Sequence, residues 1–270
     1  MSTFTNLGII SLNRRFSEVD LIINEAKANF ETNDLLYNAL CRSAQVLLSA
    51  HFEGDLKELI KNALDDINHY SDFKSSNIHL KKRLCEYFMS PQKDEKYSKE
   101  NHNKIKEMIS VFDNLEIKFQ KEYFYYTENQ NPKATVLDKV AEQFGVKDFF
   151  KQIKRSNLDL VFSNTNVDNV TKCLEMKEYL LEGTKNYPFN INLDFLDITN
   201  SKTDSDNLWD AFLSDLLKRR HAIAHGTEIE NSAGHSTIEA DKVKIEILIY
   251  AFTTFICVMS NPAPLTPFEE

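Results

Sequence analysis

Apolar residues recur at three- and four-residue steps along much of the chain, which is the period of an amphipathic α-helix. The first run consists of Leu35, Leu36, Ala39, Leu40, Ala44, Leu47 and Leu48. Asn33 or Asp34 could cap the start of this helix. A second run covers residues 56–67, and Gly54 lies between the two runs. The pattern therefore leaves open either one bent helix or two separate helices.

The same period continues through the middle of the chain. Further helices are predicted over residues 80–88, 105–119, 136–144 and 170–181. Asn131-Pro132 breaks the chain before the third of these, because proline disfavours helix in the residue that precedes it. Gly145 is a plausible residue to follow the end of that helix, where a left-handed backbone is common.

The C-terminal part of the sequence predicts two more helices and one exception. The first helix covers Leu208–Ala224, with Ser205 and Asp206 as candidate caps and Gly226 at its end. Its buried stripe is predicted to consist of Trp209, Phe212, Leu213, Leu216 and Leu217. The second opens with the capping-box pattern of Ser236-Thr-Ile-Glu239. The exception is an alternation of apolar and polar residues over 191–195, which predicts a short extended segment near residues 190–196.

Composition supports an all-α fold. The 270 residues include only six Gly and six Pro, which argues against a turn-rich β-sandwich or barrel, and 42% hydrophobic residues suffice for a core. We therefore predict a helical bundle of about eight or nine helices. Residues 1–270 are expected to form a single domain, with an insertion or subdomain around 90–205 as an open alternative.

Charge and cysteine usage narrow the class of protein. The net charge of -9 argues against a passive nucleic-acid coat, although a local basic cleft can exist in an acidic enzyme. The four cysteines form no C-x-x-C pair, so we expect reduced core residues in a cytoplasmic protein: Cys41, Cys85, Cys173 and Cys257.

No membrane anchor is expected from the sequence. Residues 1–11 lack the pattern of a secretory signal, and the apolar run Ile247–Met259 holds thirteen uncharged residues. A bilayer span needs roughly 20 apolar residues. The run is therefore interpreted as a buried core helix.

One segment combines residue types that are suited to catalysis. Residues 216–226 read LLKRRHAIAHG, with three cations and two histidines at the end of a core helix. RNA cleavage needs a proton taken from the ribose 2′-oxygen, a proton given to the leaving oxygen, and a ligand for the phosphate. Histidine suits the proton transfers because its ordinary pKa is close to neutrality, and arginine suits the phosphate because it can donate two parallel hydrogen bonds.

Spacing shows that this segment is incomplete by itself. Arg220 and His225 are five residues apart, or about 140° of rotation on an ideal helix, so a shared direction requires His225 to turn away at the helix end. One Arg and one His also form a sparse active site. A two-fold dimer would bring a second copy and could supply both an acid and a base.

The segment Arg220-His-Ala-Ile-Ala-His225-Gly226 resembles the R-x4-H motif of the HEPN family, helical proteins found widely as ribonucleases in bacterial defence and toxin–antitoxin systems. Residues 41–54 also resemble the first long helix of its RiboL-PSP and MAE-like types. The resemblance covers about residues 33–67 and 208–259. It implies a HEPN-like core and a homodimeric, metal-independent endoribonuclease that leaves a 2′,3′-cyclic phosphate.

On the matching positions, the resemblance makes Arg220 and His225 catalytic. The residue after the arginine is often Asn in the family, so His221 is a departure that could add a proton-transfer group or only a hydrogen bond. Glu53 occupies a place where related proteins carry an acid near the site. An RNA substrate and a cognate antitoxin or defence-system protein are the implied partners, and no cofactor is implied.

Several basic residues are candidates for binding RNA, and each also has an ordinary structural explanation. Lys218 and Arg219 could assist in binding RNA, although cations near a helix C-terminus are also favoured by the helix dipole. Lys151 and Lys154 could follow an RNA backbone, but a solvated helix face is the more ordinary reading. Two alternative functions remain open, a non-catalytic protein-interaction or RNA-binding module and a metal-dependent hydrolase. His221 and His225, with His235 as a third ligand, are the residues that could hold a metal.

Overall fold

The computed structural model describes residues 2–89, 99–124, 131–198, 207–226 and 233–262. Within these ranges the secondary structure is helical and includes no strand, which confirms the predicted all-α bundle. The nine α-helices are α1 (Phe4–Asn29), α2 (Asp34–Tyr70), α3 (Ile78–Met89), α4 (Lys99–Phe112), α5 (Ala134–Phe144), α6 (Phe149–Lys154), α7 (Asn166–Gly183), α8 (Leu208–His225) and α9 (His235–Ser260). Short 3₁₀ helices cover Lys121–Tyr123, Asn157–Phe162 and Asp194–Leu196.

Helix α9 is the central element of the bundle. It contacts α1, α2, α5 and α7, and every residue from Ile245 to Cys257 is buried. In the described part of the chain, α9 is one helix whose length and composition would suffice to cross a membrane, with a mean hydropathy of 1.7 over its most apolar 18 residues. Since 78% of that window is buried inside the fold, α9 is built as the core helix that the sequence predicts.

Helices α1 and α2 form a long antiparallel pair. Helix α1 is not among the helices predicted from the sequence, although its buried residues follow alternating steps of three and four: Ile9, Leu12, Phe16, Val19, Ile23 and Ala26. Helix α2 runs unbroken through Gly54, which settles the choice left open by the sequence in favour of one helix. Asn33 caps α2 by accepting a hydrogen bond of 3.1 Å from the backbone N–H of Leu36.

Ion pairs fix the directions of the helices around α9. Helix α1 runs antiparallel to α9, because Lys27 pairs with Glu239 near the start of α9 and Asp20 pairs with Lys242 one turn later. Helix α8 is also antiparallel to α9, because Arg219 near the end of α8 pairs with Asp241, whereas Phe212 near the start of α8 contacts Lys244 further along α9. The end of α8 therefore lies at the same end of the bundle as the start of α9.

Three local predictions are wrong. Helix α4 ends at Phe112, so the helix predicted over residues 105–119 is seven residues too long at its C-terminal end. The segment 189–196 forms no strand: the backbone N–H of Asn192 donates to Tyr179 Oη of α7 at 2.9 Å, and residues 194–196 of the predicted extended segment form a 3₁₀ turn instead. The capping box at Ser236 is also not formed. Helix α9 begins at His235, two residues before the predicted first helical residue, and Gly234 instead of Ser236 is its cap. Glu239 pairs with Lys27 at 2.8 Å.

The middle of the chain is divided between the centre and the side of the bundle. Helix α7 packs on α1 and α9, while α5 and α6 pack on each other and on α8. Gly145 has a left-handed backbone (φ +101°) after α5, as predicted. Buried residues from all of these helices form one continuous core. A separate subdomain over 90–205 stays an untested prediction, and within that range both α5 and α7 pack directly on α9.

Candidate functional site

Helix α8 presents the candidate residues at its C-terminal end. The five apolar residues predicted to face the core, from Trp209 to Leu217, are all buried. Asn207 caps the start of the helix by accepting a hydrogen bond of 3.1 Å from the backbone N–H of Trp209. Ser205 and Asp206, the predicted caps, lie outside the described residues. Gly226 ends the helix with a left-handed backbone (φ +63°), as the sequence predicts, and its N–H donates to the carbonyls of Ala222 and Ile223.

Arg219 faces into the protein. Its Nη2 donates to Asp241 Oδ2 on α9 at 2.7 Å, its Nε donates to Asp215 Oδ2 at 2.8 Å, and the residue is only 9% exposed. Burial raises the pKa of Asp241, while the nearby Arg219 guanidinium opposes that rise. The position predicted to bind RNA is therefore occupied by a side chain that joins α8 to α9.

Arg220 points in a different direction from its neighbour. It is half-buried, and its Nη1 donates a hydrogen bond of 3.0 Å to Oδ1 of Asn131, which precedes α5. Asn131 is not among the site residues predicted from the sequence, where Asn131-Pro132 indicates only a break between helices. A neutral amide can orient a guanidinium without neutralising its charge, so Arg220 keeps its positive charge available for an anion.

His221 and His225 lie together at the exposed end of α8. Their ring centroids are 4.1 Å apart with an angle of 55° between the rings, and both residues are exposed. The helix continues through His225. The expected turn of His225 away from its helical position is therefore not seen. Within one chain, the His225 ring contacts His221, whereas the Arg220 guanidinium contacts Asn131.

The predicted RNA-binding lysines are spread along α8 and its neighbour. Lys218 is exposed one turn before His221. Lys151 and Lys154 are on α6, which lies near the start of α8, where Asn207 Nδ2 donates to the Phe150 carbonyl at 3.4 Å. Residues 207 and 220 are separated by about 20 Å along the helix axis. The structure thus brings Lys218, but not the α6 lysines, to the histidine pair.

Glu53 is also remote from the end of α8. Its carboxylate forms an ion pair with Lys57 of the same helix, and Lys57 Nζ lies 2.7 Å from Glu53 Oε1. The start of α2 lies beside the start of α9, because Tyr37 Oη is 3.2 Å from His235 Nδ1. Glu53 follows Tyr37 by sixteen residues, or about 24 Å along the helix axis. The structure does not bring this acid to Arg220 and His225 of the same chain.

His235 lies near the pair but belongs to another cluster. His225 follows Arg219 by six residues on α8, and His235 precedes Asp241 by six residues on α9. Because the two helices are antiparallel, both histidines lie about 9 Å beyond the Arg219–Asp241 ion pair, at the same level of the bundle. The His235 ring contacts Phe30 and Tyr37 at centroid distances of 5.4 and 5.8 Å. Among the described residues, no group of three or more His, Cys, Asp or Glu is arranged to hold a metal.

Comparison with known proteins adds a family-level result. A model of the RiboL-PSP-HEPN family matches residues 10–258, nearly the whole chain, including all of α8. No curated protein and no solved structure matches significantly. The match extends across the middle of the chain, where the sequence analysis found no motif.

Proposed function

The chain belongs to the RiboL-PSP-HEPN family, and from this premise we propose that it is a metal-independent endoribonuclease that acts as a homodimer. HEPN domains are generally associated with RNase activity, so membership itself indicates a nuclease-like, RNA-related function. The observation that supports a metal-independent endoribonuclease is the arrangement of side chains at the end of α8. There, the last two turns of one helix carry an arginine that hydrogen-bonds a neutral amide and two exposed imidazoles that contact each other.

Each residue at this end has a role in the proposed reaction. The Arg220 guanidinium binds the scissile phosphate and offsets the negative charge that develops on it. His225 transfers a proton as general acid or base, and His221 assists it. The ribose 2′-oxygen attacks the phosphorus and the 5′-oxygen leaves, so the products are a 2′,3′-cyclic phosphate and a 5′-hydroxyl.

A second copy of the chain completes the site in this proposal. Within one chain, the Arg220 guanidinium and the His225 ring contact different neighbours. A two-fold axis next to the end of α8 would bring two copies of each residue to one cleft. The rate of cleavage per chain is then expected to fall when the protein is diluted below the concentration at which sedimentation detects dimers.

The biological role that we propose is a cytoplasmic toxin or phage-defence effector, held in check by a partner protein. Expression of the wild-type chain should slow bacterial growth, whereas expression of His225→Ala at the same level should not. Equal growth with both chains would count against a toxic nuclease.

The direct test uses purified protein and total RNA in EDTA. Wild-type protein should cleave RNA, because no step of the proposal uses a metal. Arg220→Ala and His225→Ala should each lose about 10²-fold or more in rate, the scale of one general acid–base group. Arg14→Ala and His102→Ala are the controls, since each removes the same type of side chain from an exposed position on another helix. Intact RNA, or equal cleavage by His225→Ala, would contradict the proposal.

A non-catalytic binding module is the second candidate function. Exposed apolar side chains on α1 favour it, since Leu7, Ile10 and Leu21 are 53%, 52% and 71% exposed. Such residues can form part of a surface for another protein. In that case RNA would stay intact, and His225→Ala would bind the partner as the wild type does.

A further inference from the structure

The rings of His221 and His225 on α8 lie close to each other, with centroids 4.1 Å apart. From the contact between the His221 and His225 rings, we infer that the pair binds a late first-row divalent cation such as Zn²⁺, and that the bound cation inhibits RNA cleavage. The binding clause stands on the ring geometry alone. The inhibition clause rests on the proposed nuclease function.

The ring positions support chelation of one ion by both imidazoles. Residues four apart on a helix share a face, and these two rings already have centroids 4.1 Å apart. Zinc binds imidazole nitrogen at about 2.0–2.1 Å, so the two ligating nitrogens must lie within about 4 Å of each other. Small side-chain rotations on an unchanged backbone can meet this requirement, since both rings are exposed.

Local electrostatics act in both directions. His225 is in the last turn of α8 and His221 is one turn earlier, close to the end where the helix dipole favours a cation. Lys218, one turn earlier on the same face, opposes a cation, and the Arg220 guanidinium adds to this opposition. Removal of the Lys218 charge should therefore strengthen metal binding, which gives the inference a test in the direction of gain.

The site differs from a dedicated zinc centre in having two protein ligands. His235 is at the same level of the bundle, but its Nδ1 lies 3.2 Å from Tyr37 Oη and its ring packs on Phe30. The other coordination positions are left to water, so affinity should be modest. A metal on the imidazole nitrogens occupies the lone pairs that proton transfer needs, and this competition is the cause of the inhibition.

The binding test is isothermal titration of Zn²⁺ into tag-free protein. Wild-type protein should bind about one ion per chain, and His221→Gln and His225→Gln should each weaken binding by at least about tenfold. His102→Gln, which removes another exposed histidine, should bind as the wild type does, and Lys218→Gln should bind more tightly. Circular dichroism confirms that each variant is folded.

Metal identity provides a second criterion. Cu²⁺ and Ni²⁺ should also bind, because imidazole suits late transition metals, while Mg²⁺ and Ca²⁺ prefer oxygen ligands and should not. Absence of Zn²⁺ binding by the wild type, unchanged binding in both histidine variants, or equal affinity for Mg²⁺ would overturn the inference.

The activity test separates this inference from the proposed function. Micromolar Zn²⁺ should inhibit cleavage by the wild type, and EDTA should restore it. Any residual cleavage by His221→Gln should be less sensitive to Zn²⁺. If the protein binds Zn²⁺ but never cleaves RNA, the nuclease proposal fails and the metal site stands. If it cleaves RNA in EDTA and Zn²⁺ does not bind or does not inhibit, the metal inference fails and the nuclease proposal stands.

Discussion

The interface around α9 and the exposed end of α8 use charged residues in opposite ways. Around α9, charged side chains meet carboxylates across helices, as in the pairs of Arg219 with Asp241 and Lys242 with Asp20. At the end of α8, Arg220 meets the neutral amide of Asn131, and two imidazoles meet each other. The first arrangement is explained by the cost of burying a charge. The second arrangement leaves the charge of Arg220 and the two imidazoles at the end of the helix, so it is the better candidate for function.

Arg219 and Arg220 show the contrast in adjacent residues. Arg219 lies seven residues after Phe212 and three after Leu216, so it falls on the buried stripe of α8. Arg220 is rotated by about 100° from that stripe. Two residues of identical chemistry therefore separate into one that joins helices and one that can meet a substrate.

The largest expected effect on stability comes from Arg219→Met. It leaves the buried carboxylate of Asp241 without its partner, and loss of one partner of a buried pair costs about 3–5 kcal/mol. Arg220→Met should change the free energy of unfolding by less than about 1 kcal/mol. Urea denaturation measures both values. Equal losses in the two variants would remove the distinction between the arginines, while the double variant Arg219→Met/Asp241→Leu should recover much of the loss.

The next effect concerns Glu246, a buried acid in the middle of α9. Burial raises its pKa to about 7 from an ordinary 4.5, and the nearby Lys242 opposes this rise. Because the folded-state pKa is the higher one, the ionised form is penalised in the fold. The stability contribution of Glu246 is therefore greatest below pH 4.5 and is lost as the pH rises through about 7.

Glu246→Gln should remove this pH dependence. It is expected to stabilise the protein at pH 8 by up to about 3 kcal/mol, and by much less at pH 5. Urea denaturation of both proteins at the two pH values provides the measurement. The quantity to compare is the gain in the free energy of unfolding of Glu246→Gln over the wild type. If this gain is the same at pH 8 as at pH 5, the ionised form of Glu246 does not oppose folding.

The smallest effect is expected from Asn131→Ala, which removes the amide that orients Arg220. A lost hydrogen bond of about 1 kcal/mol corresponds to a decrease of roughly fivefold in the cleavage rate. Asn131→Asp tests charge instead of orientation, and it should lower the rate further because a carboxylate would neutralise the guanidinium. Single-turnover cleavage in EDTA separates these changes from RNA binding. Rates equal to the wild type in both variants would show that Asn131 does not position Arg220.

Much of the fold could be predicted from local pattern. The buried stripe and glycine end of α8, the cap at Asn33 and the left-handed Gly145 all depend on neighbouring residues, and each prediction is confirmed. The regular spacing of α1 was also present in the sequence and was overlooked. The family resemblance, drawn from two short stretches, is confirmed by a match across residues 10–258.

The remaining errors involve partners that are distant in the chain. Glu239 matches a capping box locally, but Lys27 binds it from another helix. The alternation near 191–195 is that of a strand, yet its backbone bonds to Tyr179 of α7 instead of to a second strand. The contact between Arg220 and Asn131 joins positions 89 residues apart, which no local pattern reveals.

The central claim is that the end of α8 cleaves RNA without a metal. The most direct measurement is the 3′-end chemistry of a defined RNA after incubation in EDTA with wild-type protein, His225→Ala or His102→Ala. We predict 2′,3′-cyclic phosphate ends from the wild type and from His102→Ala, and intact RNA from His225→Ala. Cleavage by His225→Ala at the wild-type rate, or no cleavage by any of the three at concentrations that form dimers, would contradict the claim.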